Sequence, residues 1–301
     1  MTPALIGIDW GTTAARAFRF DASGSIIAEH SAALGVQKIE GGRFADALKA
    51  LLGGEIPSGT PLIACGMIGS RQGWLEAPYL QCPVEFGAIS RALTRVADPP
   101  LAIVPGLICR DADDIPDVMR GEETQIFGAL EDSGTRQLVV LPGTHCKWAL
   151  VEAGGVATFA TFMTGELYSV LREHSILGRL ATSGTNGPAF ERGEHASLRA
   201  GAALPHDLFS ARTLALTGEL APDGVADYLS GVLLGAEIAA ARLWMERSGA
   251  RNLSITLIGE AMLCERYRLA MATAKIEARI GPVDAAARGL WRLAQQAGMV
   301  R

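Results

Sequence analysis

What this 301-residue chain lacks narrows its chemistry before any motif is read. It has no lysine- or arginine-rich block and a net charge of −5, so no electrostatic footprint for nucleic acid is present. Its five cysteines, Cys65, Cys82, Cys109, Cys146 and Cys264, are scattered, odd in number and without a CxxC pair. That pattern argues against a disulfide framework and for free, buried thiols in a reducing compartment. No apolar run approaches the about 18 residues that a membrane helix needs. The N-terminus shows no basic region followed by an apolar stretch. A cytoplasmic protein with neither a membrane nor a nucleic-acid partner is expected. The Walker pattern GxxxxGK[ST] is missing and no GxGxxG follows a strand, so P-loop and Rossmann nucleotide binding do not compete.

What is present begins with 49% apolar and 20% charged residues, a globular composition with apolar material for two cores. Residues 5–9 read as a buried strand, ended by WGTT, and residues 15–21 as the next. Asp21-Ala-Ser-Gly24 is a turn signal, and residues 25–31 read as a third strand. The start is therefore an antiparallel meander, not a βαβ unit. Residues 44–52 read as a helix and 61–65 as a buried strand. The opening plan returns at QLVVLP (137–142), ended by Gly143-Thr144-His145. Strands at 147–152 and 156–162 follow, around a Gly154-Gly155 turn. A third run, 254–258, ends at Gly259 and leads into a helix from Glu260 to about Thr273. This is a duplication of architecture rather than of sequence. Pro105-Gly106 and the acidic stretch 111–117 place a boundary near residues 107–118, giving domains 1–110 and 111–301. The final helix, 285–298, can pack on either half.

The turns carry the chemistry. Glycine and hydroxyl residues at a β-turn let backbone N–H groups approach an anion closely, and a side chain at the glycine would block that approach. Asp9 precedes the first turn. A carboxylate repels phosphate but holds Mg²⁺, which bridges to phosphates. DWGTT thus reads as a metal-plus-phosphate turn, with Asp9 on the metal and Gly11, Thr12 and Thr13 on phosphate. Alone, it reads equally as a hairpin with a polar tip. The second turn, PGTHCKW, offers Gly143 and Thr144 to phosphate. Lys147 neutralises phosphate there or lies on the outer strand face. The third, LIGEAML, brings Gly259 and its helix against a nucleoside.

This ordered triple resembles the actin-like, sugar-kinase and Hsp70 ATPase superfamily. The resemblance implies an α/β, two-lobed actin-like ATPase (ribonuclease H-like) fold, with duplicated mixed-sheet domains that clamp ATP in a nucleotide cleft. Further stretches sharpen it: GMIGSRQGWLEAPY (66–79), PDVMRGEETQIFGAL (116–130), LPGTHCKW (141–148), FMTGELYSVLREHSILG (162–178) and YLSGVLLGAEI (228–238). With DWGTT they are similar to the 2-dehydro-3-deoxygalactonokinase family over nearly the whole chain. That family phosphorylates a sugar acid, 2-dehydro-3-deoxy-galactonate, at its 6-hydroxyl with MgATP. Cys146 departs from the serine expected there, and a thiol is the weaker hydrogen-bond donor. The helix at 228–244, rich in glycine and alanine, corresponds to the superfamily's interdomain hinge, although a plain buried helix predicts the same residues.

Phosphoryl transfer needs position, charge neutralisation and a base for the attacking hydroxyl. Glu122 and Glu123, after Gly121 and before an apolar helix, supply the candidate base, with Glu122 favoured. They also fit as helix-capping carboxylates. The substrate carboxylate points to Arg71, whose guanidinium fork matches it; a solvated loop arginine is the alternative. Ser70, Gln72 and Trp74 line the sugar, or Trp74 packs in the core. Arg120 is a second anion candidate. Glu166 meets hydroxyls from the second half, and His174 reads more readily as a satisfied helix histidine. A related kinase with another substrate, a non-catalytic nucleotide-dependent switch and a metal-free sugar-acid-binding protein are the other readings. The sequence leaves the epimer preference and the oligomeric state open; a homo-oligomer is compatible with it.

Overall fold

The first strand, Leu5–Trp10, is buried along nearly its whole length. A strand apolar on both faces belongs inside a covered sheet, and in the computed structural model it holds a central place. The structure describes residues 2–54, 56, 58–130, 134–199 and 203–301. Ala15–Phe20 pairs antiparallel with the first strand, and Ile26–Ala32 pairs antiparallel beyond it. On the other side Leu62–Gly66 and then Leu101–Ile103 run parallel, and Thr94–Val96 closes the sheet antiparallel. The helix Phe44–Leu51 buries Phe44, Ala47, Leu48 and Leu51, one face at helical spacing, with Ile6, Ile8, Trp10 and Leu62 in the same core cluster. A small second sheet joins Tyr79–Gln81, Gly106–Arg110 and Pro116–Met119.

The opening architecture recurs around Gln137–Leu141. Ile255–Leu257 pairs parallel with it, and Ala278–Ile280 pairs parallel with that strand. On its other side come Cys146–Glu152 and Gly155–Phe162. Both sheets therefore follow the order third, second, first, fourth, fifth. That is the ribonuclease H-like plan, present twice, as the two GT turns predict.

The chain forms two compact units that are not continuous segments. One comprises Met1–Arg136, Leu150–Phe159 and Pro282–Arg301; the other comprises Gln137–Ala149 and Ala160–Gly281. A single boundary near 107–118 does not describe this division. The helix Glu122–Ala129 stays in the first unit because it packs on the last helix, Ala285–Gln296, which returns to the same unit. The contact is backbone on backbone. A Cβ on Gly128 would sit 1.8 Å from the carbonyl oxygen of Ala285, and one on Gly289 would sit 1.9 Å from that of Thr124.

In the second unit the long helix Val225–Arg247 crosses Gly187–Leu198 in the same manner, with Gly231 over the carbonyl of Phe190 and Gly193 over that of Tyr228. Its small residues are thus explained by helix packing within one unit. The segment Pro222–Arg247 is long and apolar enough, by length and composition, to cross a membrane, contrary to the expectation that no run qualifies. Of its apolar window, 78% is buried inside the protein, as in the core helix of a globular domain.

The glycine crossing gives a stability prediction. Gly128→Ala forces the two helices apart and costs about 3 kcal/mol, read as a lower urea midpoint with an unchanged slope. Gly41→Ala, at φ +62° in open space, costs only about 1 kcal/mol. Equal stability of Gly128→Ala and the wild type would contradict the close crossing.

Candidate active site

In the first unit the candidate site grows from the end of Leu5–Trp10. Strand register sets Asp9 beside Arg16 on one neighbour and Cys65 on the other. Arg16 Nη2 donates to Asp9 Oδ2 at 2.7 Å, while Oδ1 lies 3.9 Å from the Cys65 thiol. The turn that follows is closed by Gly11 N–H donating to the Ala14 carbonyl (2.9 Å). Its outer carbonyls are engaged as well: those of Gly11 and Thr12 accept from the N–H groups of Val36 (3.1 Å) and Gln37 (3.3 Å). Gly35 presses directly on the turn, where a Cβ would stand 2.2 Å from the Thr12 carbonyl oxygen. Thr12 is half-buried and Thr13 exposed.

The same unit holds the acids. Gly121, Glu122 and Glu123 open the helix Glu122–Ala129. Glu122 is half-buried and its Oε2 accepts from Arg120 N–H at 2.9 Å. Glu123 is 1% exposed; Oε2 accepts from Gly121 N–H (2.6 Å) and Oε1 from the Thr124 hydroxyl (2.9 Å). Burial, and then the adjacent Glu122 charge, push the Glu123 carboxyl up to about 7. Both acids make local bonds of the capping kind. They differ in exposure.

Of the candidate substrate residues on the segment 66–79, Arg71 is 87% exposed, with Glu76 at 3.7 Å, and Gln72 is exposed beside it. Trp74, half-buried, stacks on Phe44 with ring centroids 6.0 Å apart and packs on the first core. The Ser70 hydroxyl is buried without a partner.

The second unit repeats the device of the first. The Thr144 carbonyl accepts from Glu166 N–H at 3.0 Å, and Gly165 presses on the turn, where a Cβ would stand 2.4 Å from the Gly143 carbonyl oxygen. Thr144 and His145 are exposed, and His145 Nε2 contacts the Glu166 carboxylate. Lys147 is buried and donates to the Thr161 hydroxyl at 2.6 Å. Cys146 faces inward, and burial, followed by the Glu237 charge, raises its thiol pKa well above the ordinary value. The Glu237 carboxylate accepts from Trp148 Nε1 and from the Tyr267 hydroxyl, each at 2.8 Å. His174 is exposed in the last turn of its helix, beside Glu173.

Gly259 lies with a Cβ position 3.2 Å from the Pro142 carbonyl oxygen. The Glu260 carboxylate then caps the helix Ala261–Thr273, accepting from the N–H groups of Met262 (3.0 Å) and Leu263 (2.8 Å). A cavity of 470 Å³ opens here, lined among others by Gly143, Thr144, Ser230, Glu260 and Tyr267. A second, of 690 Å³, shares Glu260, Leu263 and Arg266 with it. Arg266 pairs with Asp227 at 2.5 Å and lies 4.3 Å over the Phe190 ring. Both volumes suit small ligands.

The structure thus joins Gly143, Thr144 and the Gly259–Glu260 link around one cavity, and keeps Asp9 with the first turn. Gly35, Gly165, Glu237 and Arg266 escape the sequence reading because each acts on residues far along the chain. Glu260, immediately after Gly259 at a helix start, carried a legible capping signal. Among the described residues no group of three or more His, Cys, Asp or Glu side chains could hold a metal. A lone Asp9 fits Mg²⁺ that keeps its waters and takes its other ligands from phosphates.

The model of the 2-keto-3-deoxy-galactonokinase family matches residues 9–293. The chain is 38% identical to the 2-dehydro-3-deoxygalactonokinase of Escherichia coli K12 over 90% of each chain. It superposes on a Sinorhizobium meliloti protein, solved as a candidate 2-dehydro-3-deoxygalactonokinase, with a TM-score of 0.85, 34% identity and coverage of 97% and 98%. At 13% identity, the activator of the 2-hydroxyisocaproyl-CoA dehydratase from Clostridium difficile, solved with ADPNP, shares the fold alone (TM-score 0.54, coverage 98% and 96%). The fold is the actin-like ATPase fold.

The raised Glu123 carboxyl makes stability depend on pH. Its folded value, about 7, exceeds its ordinary 4.5, so its contribution is fully present below pH 4.5 and is lost as pH rises through 7. The loss is on the order of 3 kcal/mol. Glu123→Gln removes that step, so its urea midpoint falls less than the wild type's between pH 5 and pH 8. Glu194, also pushed to about 7 by burial, keeps part of the slope. An unchanged slope in Glu123→Gln would refute the assignment.

Proposed function

The chain belongs to the 2-keto-3-deoxy-galactonokinase family, a family of sugar-acid kinases, and on that premise we propose that it transfers the terminal phosphoryl group of ATP to the 6-hydroxyl of 2-dehydro-3-deoxy-D-galactonate. The observation that carries this reading is the duplicated turn: Gly11–Thr13 braced by Gly35, and Gly143–Thr144 braced by Gly165. Two rigid turns whose carbonyls already have partners direct N–H groups and hydroxyls toward anions at little reorganisation cost. The first lobe carries the first turn and the sugar-acid site. The second carries the other turn and the nucleoside cavity beside Gly259 and Glu260. Lys147 adds positive charge behind the second turn.

Asp9 would hold Mg²⁺, which neutralises phosphate charge when bound. Arg16 fixes the Asp9 carboxylate at 2.7 Å and limits how far it turns. Glu122 takes the proton from the attacking hydroxyl. It is the more accessible of the two acids and stands in the first helical turn, where the helix dipole favours its ionised form. Glu123, whose carboxyl burial pushes up to about 7, holds the loop at Gly121. Gln72 and Glu166 meet substrate hydroxyls.

A coupled ADP-release assay with Mg²⁺, over 2-keto-3-deoxy sugar acids and plain sugars, tests the reading. Turnover is expected with the sugar acid and is abolished by EDTA; turnover with plain sugars alone would overturn it. Glu122→Gln lowers kcat by about 10²–10⁴-fold with the KM for ATP nearly kept. Full activity in Glu122→Gln, with loss in Glu123→Gln, would reverse the choice of base.

A further inference from the structure

Arg120 is a buried cation that no carboxylate among the described residues neutralises. It stands just before Gly121 and is 9% exposed. Its Nη2 donates to the Ala77 carbonyl at 2.8 Å, and its guanidinium lies 4.3 Å over the Tyr79 ring. Nε and Nη1 are buried and have no hydrogen-bond partner. An unpaired buried charge is unfavourable, and each unused buried donor adds to the cost. A group that served only to pack would not need these donors.

Two further observations locate what they meet. The guanidinium lies directly on the Gly69 backbone, where a Cβ would come within 2.8 Å of Ile103 Cγ2 and 3.0 Å of Arg120 Nη1. The next residue, Ser70, has a buried hydroxyl that also lacks a partner. The guanidinium, held against Ala77 and Gly69, and the hydroxyl of the residue after Gly69 are both unused donors of the kind that a small planar anion takes. Arg120 is also two residues from Glu122, on the short link that opens its helix. Arg71, exposed and beside Glu76, already has its counter-ion in solvent, where such contacts are worth little.

We infer that Arg120, with the Ser70 hydroxyl, receives the carboxylate of the sugar acid. This rests on the sugar-acid reading above and gives it a specificity-determining residue. The substrate supplies the negative charge that the protein withholds from Arg120. Its binding also fixes the link to Gly121 and so the helix that carries Glu122. The half-exposed Tyr79 ring, which covers one face of the guanidinium, is the part that yields on entry.

Arg120→Met, Arg120→Lys, Ser70→Ala and Arg71→Ala are assayed in the full chain with two acceptors. One is 2-dehydro-3-deoxy-galactonate; the other is the same 3-deoxyhexulose with CH2OH in place of the carboxylate. Arg120→Met is expected to raise the KM for the acid by about 10–100-fold. Its KM for ATP and its activity on the uncharged acceptor stay within about twofold. Arg120→Lys restores part of the preference, and Arg71→Ala shifts the KM for the acid by less than about threefold. Equal losses on both acceptors, or a preference for the acid that survives in Arg120→Met, overturn the assignment. If Arg120→Met does not fold, Ser70→Ala decides. A rise of about 3–10-fold for the acid alone supports the receptor, and no rise refutes it. Calorimetric binding of the acid without nucleotide separates this claim from the kinase reading. Binding that is lost in Arg120→Met, without phosphorylation by the wild type, sustains the receptor and rejects the kinase. Absence of binding to the wild type rejects both.

Discussion

Backbone pressed on backbone, with no Cβ between, is the contact on which the candidate turn of each unit depends. Gly35 lies against Thr12 and Gly165 against Gly143, and any other residue in either place would collide with a carbonyl oxygen. Neighbouring N–H groups take up the carbonyls of Gly11, Thr12 and Thr144. A free loop would lose conformational entropy on binding an anion. These turns have given up that freedom on folding, so an arriving phosphate meets dipoles that are already oriented. The same device appears at the same point of both meanders, just after the third strand. The bracing contact is repeated although the surrounding side chains differ.

The acids obey a related constraint. Two adjacent carboxyls at one helix start cannot both ionise cheaply. Glu123 turns inward, is bonded to Gly121 and Thr124, and has its carboxyl pushed up to about 7 by burial. Glu122 is left half-buried at the first helical position. The helix that sets this difference is itself fixed by Gly128 and Gly289 against the last helix. A packing contact at residues 285–289 therefore governs where the acids stand, in a chain that folds its end back onto its first unit.

Much of this was legible in the residues. Buried strands are near-continuous apolar runs, so Leu5–Trp10 and Gln137–Leu141 declare themselves, and the glycine after each marks where the run turns. Asp9, the two GT turns and the Gly259 helix followed from the same punctuation. What could not be read were contacts between distant residues. Nothing near Gly35 or Gly165 says that each braces a turn. Nothing near Trp74 says that it stacks on Phe44. Cys146 reads as a phosphate-turn residue until Glu237 and Tyr267 claim it. The apolar helix Val225–Arg247 hides a few polar residues, Asp227 and Glu237 among them, whose partners lie on other elements. The exact division into units could not be read because the last helix rejoins the first unit, which no local composition records.

The central claim is that both braced turns hold one nucleotide's phosphate chain. A crystal structure with a non-hydrolysable ATP analogue and Mg²⁺ tests it directly. The account predicts phosphate oxygens within hydrogen-bonding distance of backbone N–H groups at both Gly11–Thr13 and Gly143–Thr144, with the base in the cavity beside Glu260. Phosphates at one turn alone, or a nucleotide bound away from both, would contradict it.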